Sequence, residues 1–377
     1  MRKNIYILLL FISTFAFGNE VTKSKICLNM IVKDESRVIR RCLESVKPLI
    51  DYWVIVDTGS TDGTQEIIKE CMKGVPGELH ERKWIDFAHN RNEALELAKN
   101  KGDYFLFIDA DEQLLFDKKL KMTPLDKDYY VVMVNTGPYT FGRILLVKSG
   151  LSWAWHGVIH EGVAAPEAKT FEILKTIENS AVSQDGNRSQ DPKKHWKDAQ
   201  VLEKALEKDP TNSRYVYYLA QEYLGTNEYA LALKNYEKRA QMGGSEEEVF
   251  FSLYLGGLLQ ETLGMSSELF INSYCKAFQF CPKRVEPLFH MALYYFKSED
   301  YVLSYILSKY ALAIPPWEGV EFKEEGITDY QLEALFADSA NKMGSLSEAV
   351  AAYQKLLSNE KMPAEMRERL LMILNPK

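Results

Sequence analysis

Between Ser24 and about Ser183, short apolar runs alternate with amphipathic stretches. Residues 26–32 form an apolar run of strand length, and 35–46 repeat their apolar positions at helical spacing. The alternation continues with a strand over 52–56, a helix over 64–72, a weaker strand over 79–84, a helix over 89–99 and a strand over 104–108. Residues 129–135 and 143–148 read as further strands. Strand and helix in alternation predict an α/β domain over 24–190, with a mainly parallel sheet covered on both faces. Ligands of such sheets bind beyond the carboxyl ends of the strands, so the residues following each apolar run carry the functional information.

After about Asp191 the strand signal stops and helical pairs take over, giving an all-α domain over 191–377. One segment carries Ala220, Tyr223, Tyr229, Ala232 and Tyr236; another carries Ala292, Tyr295, Tyr301, Ser304, Ala311 and Pro316. A later one carries Ala337, Ala340, Gly344, Ala349 and Tyr353, and a looser one ends in Tyr274, Ala277 and Pro282. Small residues let paired helices approach, aromatics fill between them, and proline ends the second helix. The pattern resembles tetratricopeptide repeats over about 213–359, with an insertion at 315–326. Such stacks make a concave surface for extended peptides. The aromatic residues Tyr215, Tyr217, Tyr218 and Tyr223 therefore suggest a site for an acceptor or partner protein, unless they pack between the helices.

Arg2 and Lys3 precede an apolar run over 5–17 and Gly18. Charge, a short apolar core and small residues read as a signal peptide or signal-anchor over 1–18. That implies membrane association or the secretory pathway, with a cytosol-facing anchored form as the other outcome. Cys27, Cys42 and Cys71, with no C-x-x-C among five cysteines, favour a reducing compartment and argue against a thiolate zinc site. Lys plus Arg number 46 against 53 Asp plus Glu, for a net charge of -7. That balance opposes backbone-driven binding of nucleic acid.

Four motifs carry chemistry. Asp57 ends an apolar strand, and Gly59 to Asp62 supply a tight turn and a helix cap. Asp109 and Asp111 follow another strand; alternate positions of an extended segment share a side, and two hard carboxylates suit Mg²⁺ or Mn²⁺ bridged to phosphate. Trp153 and Trp155 offer a stacking surface for a sugar face, followed by His160 and Glu161, a metal ligand or proton donor beside a general base. Arg91 stands at a helix start, where guanidinium and amide dipoles together suit phosphate.

In order and spacing these motifs, opened by the segment ending in Asp34 and Glu35, resemble the family 2 glycosyltransferases over about 25–183. The resemblance implies the GT-A fold, a nucleotide-sugar-binding α/β domain, and an enzyme that moves a sugar from a nucleoside-diphosphate donor, a UDP-sugar first, with Mn²⁺ or Mg²⁺ as cofactor. It implies direct displacement with inversion. It places Asp57 on the nucleoside, Asp34 or Glu35 near the base, Asp109 at the ribose or the metal, Asp111 on the metal and Arg91 on the diphosphate side. Glu161 becomes the base and His160 a ligand of metal or diphosphate. The family often has a Glu-Asp pair where this chain has His160 and Glu161. The acceptor class stays open among glycan, glycolipid and peptide. A sugar-nucleotide pyrophosphorylase is disfavoured, because residues 28–35 contain no glycine. The non-enzymatic alternative is a repeat scaffold carrying an inactive sugar-nucleotide fold.

Overall fold

The computed structural model describes residues 23–117, 119–120, 124–317, 319, 322–324 and 326–374. The segment read as an export signal lies outside them. Among the described residues no helix is long and apolar enough to cross a membrane.

The first part runs β1 (Ile26–Val32), α1 (Ile39–Val46), β2 (Tyr52–Asp57), α2 (Thr64–Cys71), β3 (Gly77–Glu81), α3 (Phe87–Leu97) and β4 (Tyr104–Phe107). Then come β5 (Gln113–Phe116), β6 (Tyr129–Asn135), β7 (Tyr139–Lys148), the small hairpin β8 (Ala154–His156) and β9 (Gly162–Ala164), and β10 (Phe171–Ser180). The strand order is β3-β2-β1-β4-β7-β6-β10-β5. β3, β2, β1 and β4 are parallel neighbours, joined by crossover helices as the alternation predicts. The other half corrects the expectation of a mainly parallel sheet. β7 is antiparallel to both β4 and β6, β10 is antiparallel to β5, and only β6 and β10 run parallel. Among the described residues no helix lies between β4 and β10, so this half is built from returning strands, a connection that gives antiparallel pairing. The sheet is therefore mixed.

Ile26, Leu28, Met30 and Val32 of β1 pack with Ile39 and Leu43 of α1 and Ile68 of α2. Cys27 points to the other face and packs with Leu95 and Ala98 near the end of α3. α1 begins at Ile39, four residues later than the apolar spacing suggests. The preceding backbone N–H groups are held elsewhere: those of Asp34, Glu35 and Ser36 donate to Ser60, Thr64 and Asp62. These bonds tie residues 34–36 to the turn after β2.

The second part is helical: α4 (Lys194–Lys208), α5 (Ser213–Gly225), α6 (Tyr229–Gln241), α7 (Glu246–Thr262), α8 (Ser267–Phe280), α9 (Glu286–Lys297), α10 (Tyr301–Leu312), α11 (Leu332–Lys342), α12 (Leu346–Leu357) and α13 (Ala364–Leu374). The four repeat-like segments fold as the pairs α5–α6, α7–α8, α9–α10 and α11–α12. Ala220, Ala232, Ala277, Ala292, Ala337 and Ala340 are fully buried where helices meet. Gly257 shows the same need more sharply: a Cβ built there falls 2.6 Å from the Tyr274 ring. Gly257→Ala is expected to cost about 1–3 kcal/mol through overpacking, read as a fall in thermal midpoint. An unchanged midpoint would mean the α7–α8 contact yields freely.

Of the four tyrosines that suggested a binding face, Tyr217 and Tyr223 are buried in the helical core. The insertion at 315–326 returns to the sheet. Its short strand β11 (Lys323–Glu324) pairs antiparallel with β7, and Phe322 stacks on Phe141 at 4.4 Å.

Candidate active site

A crevice of about 1490 Å³ opens beyond the carboxyl ends of β1 and β4, between the sheet and helices α4 and α5. Glu35, Arg91, Asp109, Asp111, Trp155, His160 and Glu161 line it. Residues separated by more than 120 positions thus meet at one place, where a parallel sheet exposes its strand ends.

Asp57 and Asp34 do not line the crevice, whereas Thr58, next to Asp57, does. Asp57 is fully buried; Oδ1 accepts from the N–H groups of Gly59 and Ser60 at 2.9 and 2.8 Å, while Oδ2 has no partner. A buried acceptor without a donor is costly, and a ligand N–H would satisfy it. Asp34 is committed to the neighbouring turn: Oδ1 accepts from Thr61 N–H at 2.7 Å, with Asp34 itself at φ 53°. Glu35 accepts from Asn187 N–H at 3.0 Å. Burial pushes its carboxyl up to about 7; that N–H opposes the shift, and the nearby charges of Asp111 and Asp109 add to it.

Arg91 is the electrostatic centre. Its Nε donates to Glu161 Oε1 at 2.6 Å, and a terminal nitrogen donates to Asp109 Oδ1 at 2.7 Å. Its guanidinium also lies over the Trp155 ring, 4.9 Å from the centroid. That face of Trp155, expected to meet a sugar, is therefore covered by Arg91. Burial works against the Arg91 charge, but Asp109 and Glu161 outweigh it and raise the pKa further. Burial likewise works against the Asp109 carboxylate, and Arg91 and Arg143 hold its pKa well below the ordinary value.

Asp111 differs. Burial, then the adjacent Asp109 charge, raises its pKa. Gly186 lies against it so closely that a Cβ there would sit 2.7 Å from Asp111 Oδ2. A half-buried carboxylate beside a second one, pressed by bare backbone, fits a divalent cation that also takes phosphate oxygens, since Mg²⁺-type ions use one or two carboxylates plus substrate. A full protein cage is not formed: among the described residues no three His, Cys, Asp or Glu side chains gather to hold a metal. His160 explains part of this. It sits at φ 50°, stacks on Tyr218 at 4.2 Å, and its Nε2 meets Glu222 Oε1 at 2.6 Å. The imidazole nitrogen is turned towards the helical part rather than to the two aspartates.

Arg143 and Glu112 also line the crevice, with the buried Asn179 behind them, and none of the three was singled out in the sequence. Glu112 Oε2 accepts from Arg143 and, at 2.9 Å, from Asn179. Arg143 also lies 3.5 Å from Asp109 Oδ2. The one signal was an arginine inside an apolar strand, which needs a buried acid to pair with.

Residues 27–154 match the model of glycosyl transferase family 2. A TPR repeat-containing protein of Synechococcus elongatus is 39% identical over 94 residues, 25% of this chain and 22% of its own. The SPbeta prophage-derived glycosyltransferase SunS of Bacillus subtilis is 25% identical over 232 residues, 56% of this chain and 54% of its own. The chain thus spans about half, or less, of these two relatives. The crystal structure of the C-terminal part of a TPR repeat-containing protein from Cytophaga hutchinsonii superposes with a TM-score of 0.39 and 14% identity, covering 48% of this chain and 67% of that one.

Proposed function

We propose that this chain, which carries a glycosyl transferase family 2 domain over residues 27–154, moves a sugar from a nucleoside diphosphate, a UDP-sugar first, to a glycan, glycolipid or peptide acceptor, with inversion. The carrying observation is the convergence of Asp109, Asp111, Arg91 and Glu161 on one crevice beyond the strand ends. Asp57 would accept a base N–H on its unpartnered Oδ2, with Asp34 and Glu35 shaping that end. Asp111, with Asp109, would hold Mn²⁺ or Mg²⁺, whose chemistry when bound is to offset charge on the departing diphosphate.

The chain's own steps follow from the Arg91 contacts. A diphosphate competes with Glu161 and Asp109 for the guanidinium, a strong phosphate donor. As Arg91 turns to the leaving group, the Glu161 oxygen that accepted from Arg91 is freed to accept a proton. It then takes the acceptor proton while the acceptor oxygen attacks the anomeric carbon and the bond to the diphosphate oxygen breaks. Val201, Tyr218 and Gln221 of α4 and α5 form the wall facing this centre, which makes the first helices of the repeat part the candidate acceptor contact.

A donor panel with Mn²⁺, run on wild type and Glu161→Gln, tests the reading. Transfer is expected to fall about 10²- to 10⁴-fold in the variant, with nucleotide affinity kept. Full activity in the variant would remove Glu161 as base. Failure of UDP and the other common nucleoside diphosphates to bind would favour the inactive-scaffold alternative.

A further inference from the structure

Glu161 stands at the tip of the β8–β9 hairpin, and that tip is built into the helical part of the molecule. Ile159 is 5% exposed and belongs to the same apolar core as Leu202 of α4 and Tyr217 of α5, with Val158 packed against it. Adjacent residues then diverge: Glu161 turns to Arg91 of the sheet domain, and His160 turns to α5. Three residues on one face of α5, at spacings of four, grip the tip. Arg214 donates to the His160 carbonyl at 3.2 Å, Tyr218 stacks on the imidazole, and Glu222 bonds its Nε2.

Glu222 is the least expected of the three. It is 3% exposed on a helix whose neighbours Leu219, Ala220 and Tyr223 are core residues. A carboxylate in such a place costs free energy unless both oxygens are satisfied. Here they are: Oε1 by His160 and Oε2 by His195 Nδ1 at 2.7 Å. The His195 ring, about half exposed, lies so close over Gly225 that a Cβ there would sit 2.7 Å away. Glu222 and His195 are not among the residues that line the crevice.

We infer that Glu222, braced by His195, is a positioning residue that sets the place of Glu161 through His160, so that α4 and α5 form part of the catalytic scaffold. The inference rests on the transferase reading for its kinetic consequence. Its physical content, a tip held by α5, does not. His160 follows as an anchor for the loop, and the helical part sets the position of the candidate base whatever else it binds.

The full-length chain with Glu222→Gln tests this, with His195→Gln as a milder second variant and Glu203→Gln as a control. Glu203 of α4 accepts from Tyr223 of α5, away from the tip. Glu222→Gln should lower kcat about 10- to 100-fold, the scale of a small misplacement of a catalytic group, with donor KM changed less than about twofold. His195→Gln should lower it several-fold in the same pattern, and Glu203→Gln should leave kcat unaltered. Amide hydrogen exchange at residues 158–161, measured without substrate, should quicken in both Glu222→Gln and His195→Gln. If kcat and tip exchange stay at wild-type values in both, the inference is overturned. It is also overturned if Glu203→Gln loses kcat alongside them, which would mark a general stability effect. Should Glu222→Gln not fold, His195→Gln decides on the same two readouts. A wild type that turns over no donor would sink the transferase reading alone; quickened tip exchange would still uphold positioning, and unchanged exchange would end it.

Discussion

Asp111→Ala is expected to lower sugar transfer about a thousandfold while the protein stays folded. Two observations set that size. Asp111 is a half-buried carboxylate whose pKa is raised by burial and then by Asp109, so a divalent cation there would relieve negative charge. Asp109 is already held by Arg91 and Arg143, while among the described residues the Asp111 carboxylate has no guanidinium ion pair; Arg41 donates instead to its backbone carbonyl. Loss of a cation's stabilisation of a departing diphosphate is worth several kcal/mol, and about 4 kcal/mol is a thousandfold in rate. Stability should be unharmed or improved, because the substitution removes a repelling charge. Titration of UDP in the presence of Mn²⁺ should show the loss directly, with the metal dependence of nucleotide binding abolished. Full transfer activity in Asp111→Ala would remove the metal mechanism.

Arg91→Ala is expected to damage both stability and turnover. Arg91 joins Glu161, Asp109 and the Trp155 ring, and the Glu161 side chain is 9% exposed. Removing Arg91 leaves the buried Glu161 carboxylate without its counter-charge, at about 3 kcal/mol, while the more exposed Asp109 keeps Arg143. For units of this size that corresponds to a thermal midpoint lower by roughly 10 °C. Turnover should fall at least about 10²-fold, because a donor to the departing diphosphate is lost as well. Arg91→Lys should restore part of the stability and little of the rate, since an ammonium cannot span the two carboxylates as the planar fork does. A midpoint within about 2 °C of wild type in Arg91→Ala would contradict the central role given to this residue.

The parallel strands β1, β2 and β4 were legible because both faces are covered, which leaves short continuous apolar runs. Their crossover helices were legible from apolar spacing. The second half of the sheet was harder to read. Gln113–Phe116 is a four-residue strand with Leu115 exposed, Phe171–Ser180 exposes Glu172, Lys175 and Thr176, and their pairing joins segments more than 50 positions apart. β11 could not be read at all, since it is two residues of a helical-repeat insertion that find an edge on β7.

The same division holds at the site. Asp57, Asp109, Asp111 and Glu161 were named because strand ends and paired acids leave local signatures. Arg143 and Glu222 were missed, and His160 was read as a ligand of metal or diphosphate. These three depend on what lies opposite them in space: Glu112 for Arg143, and α5 against the hairpin tip for Glu222 and His160.

By itself, then, the sequence determined the two kinds of structure, the order of the motifs and the residue types available for chemistry, because periodicity and local backbone demands act within a few positions. The tertiary structure decided which charges neutralise one another, which face of Trp155 is covered, where His160 points and that a repeat helix braces the loop carrying Glu161. Those outcomes rest on burial and pairing between distant segments, and the energy of a buried charge is set by its neighbours in space.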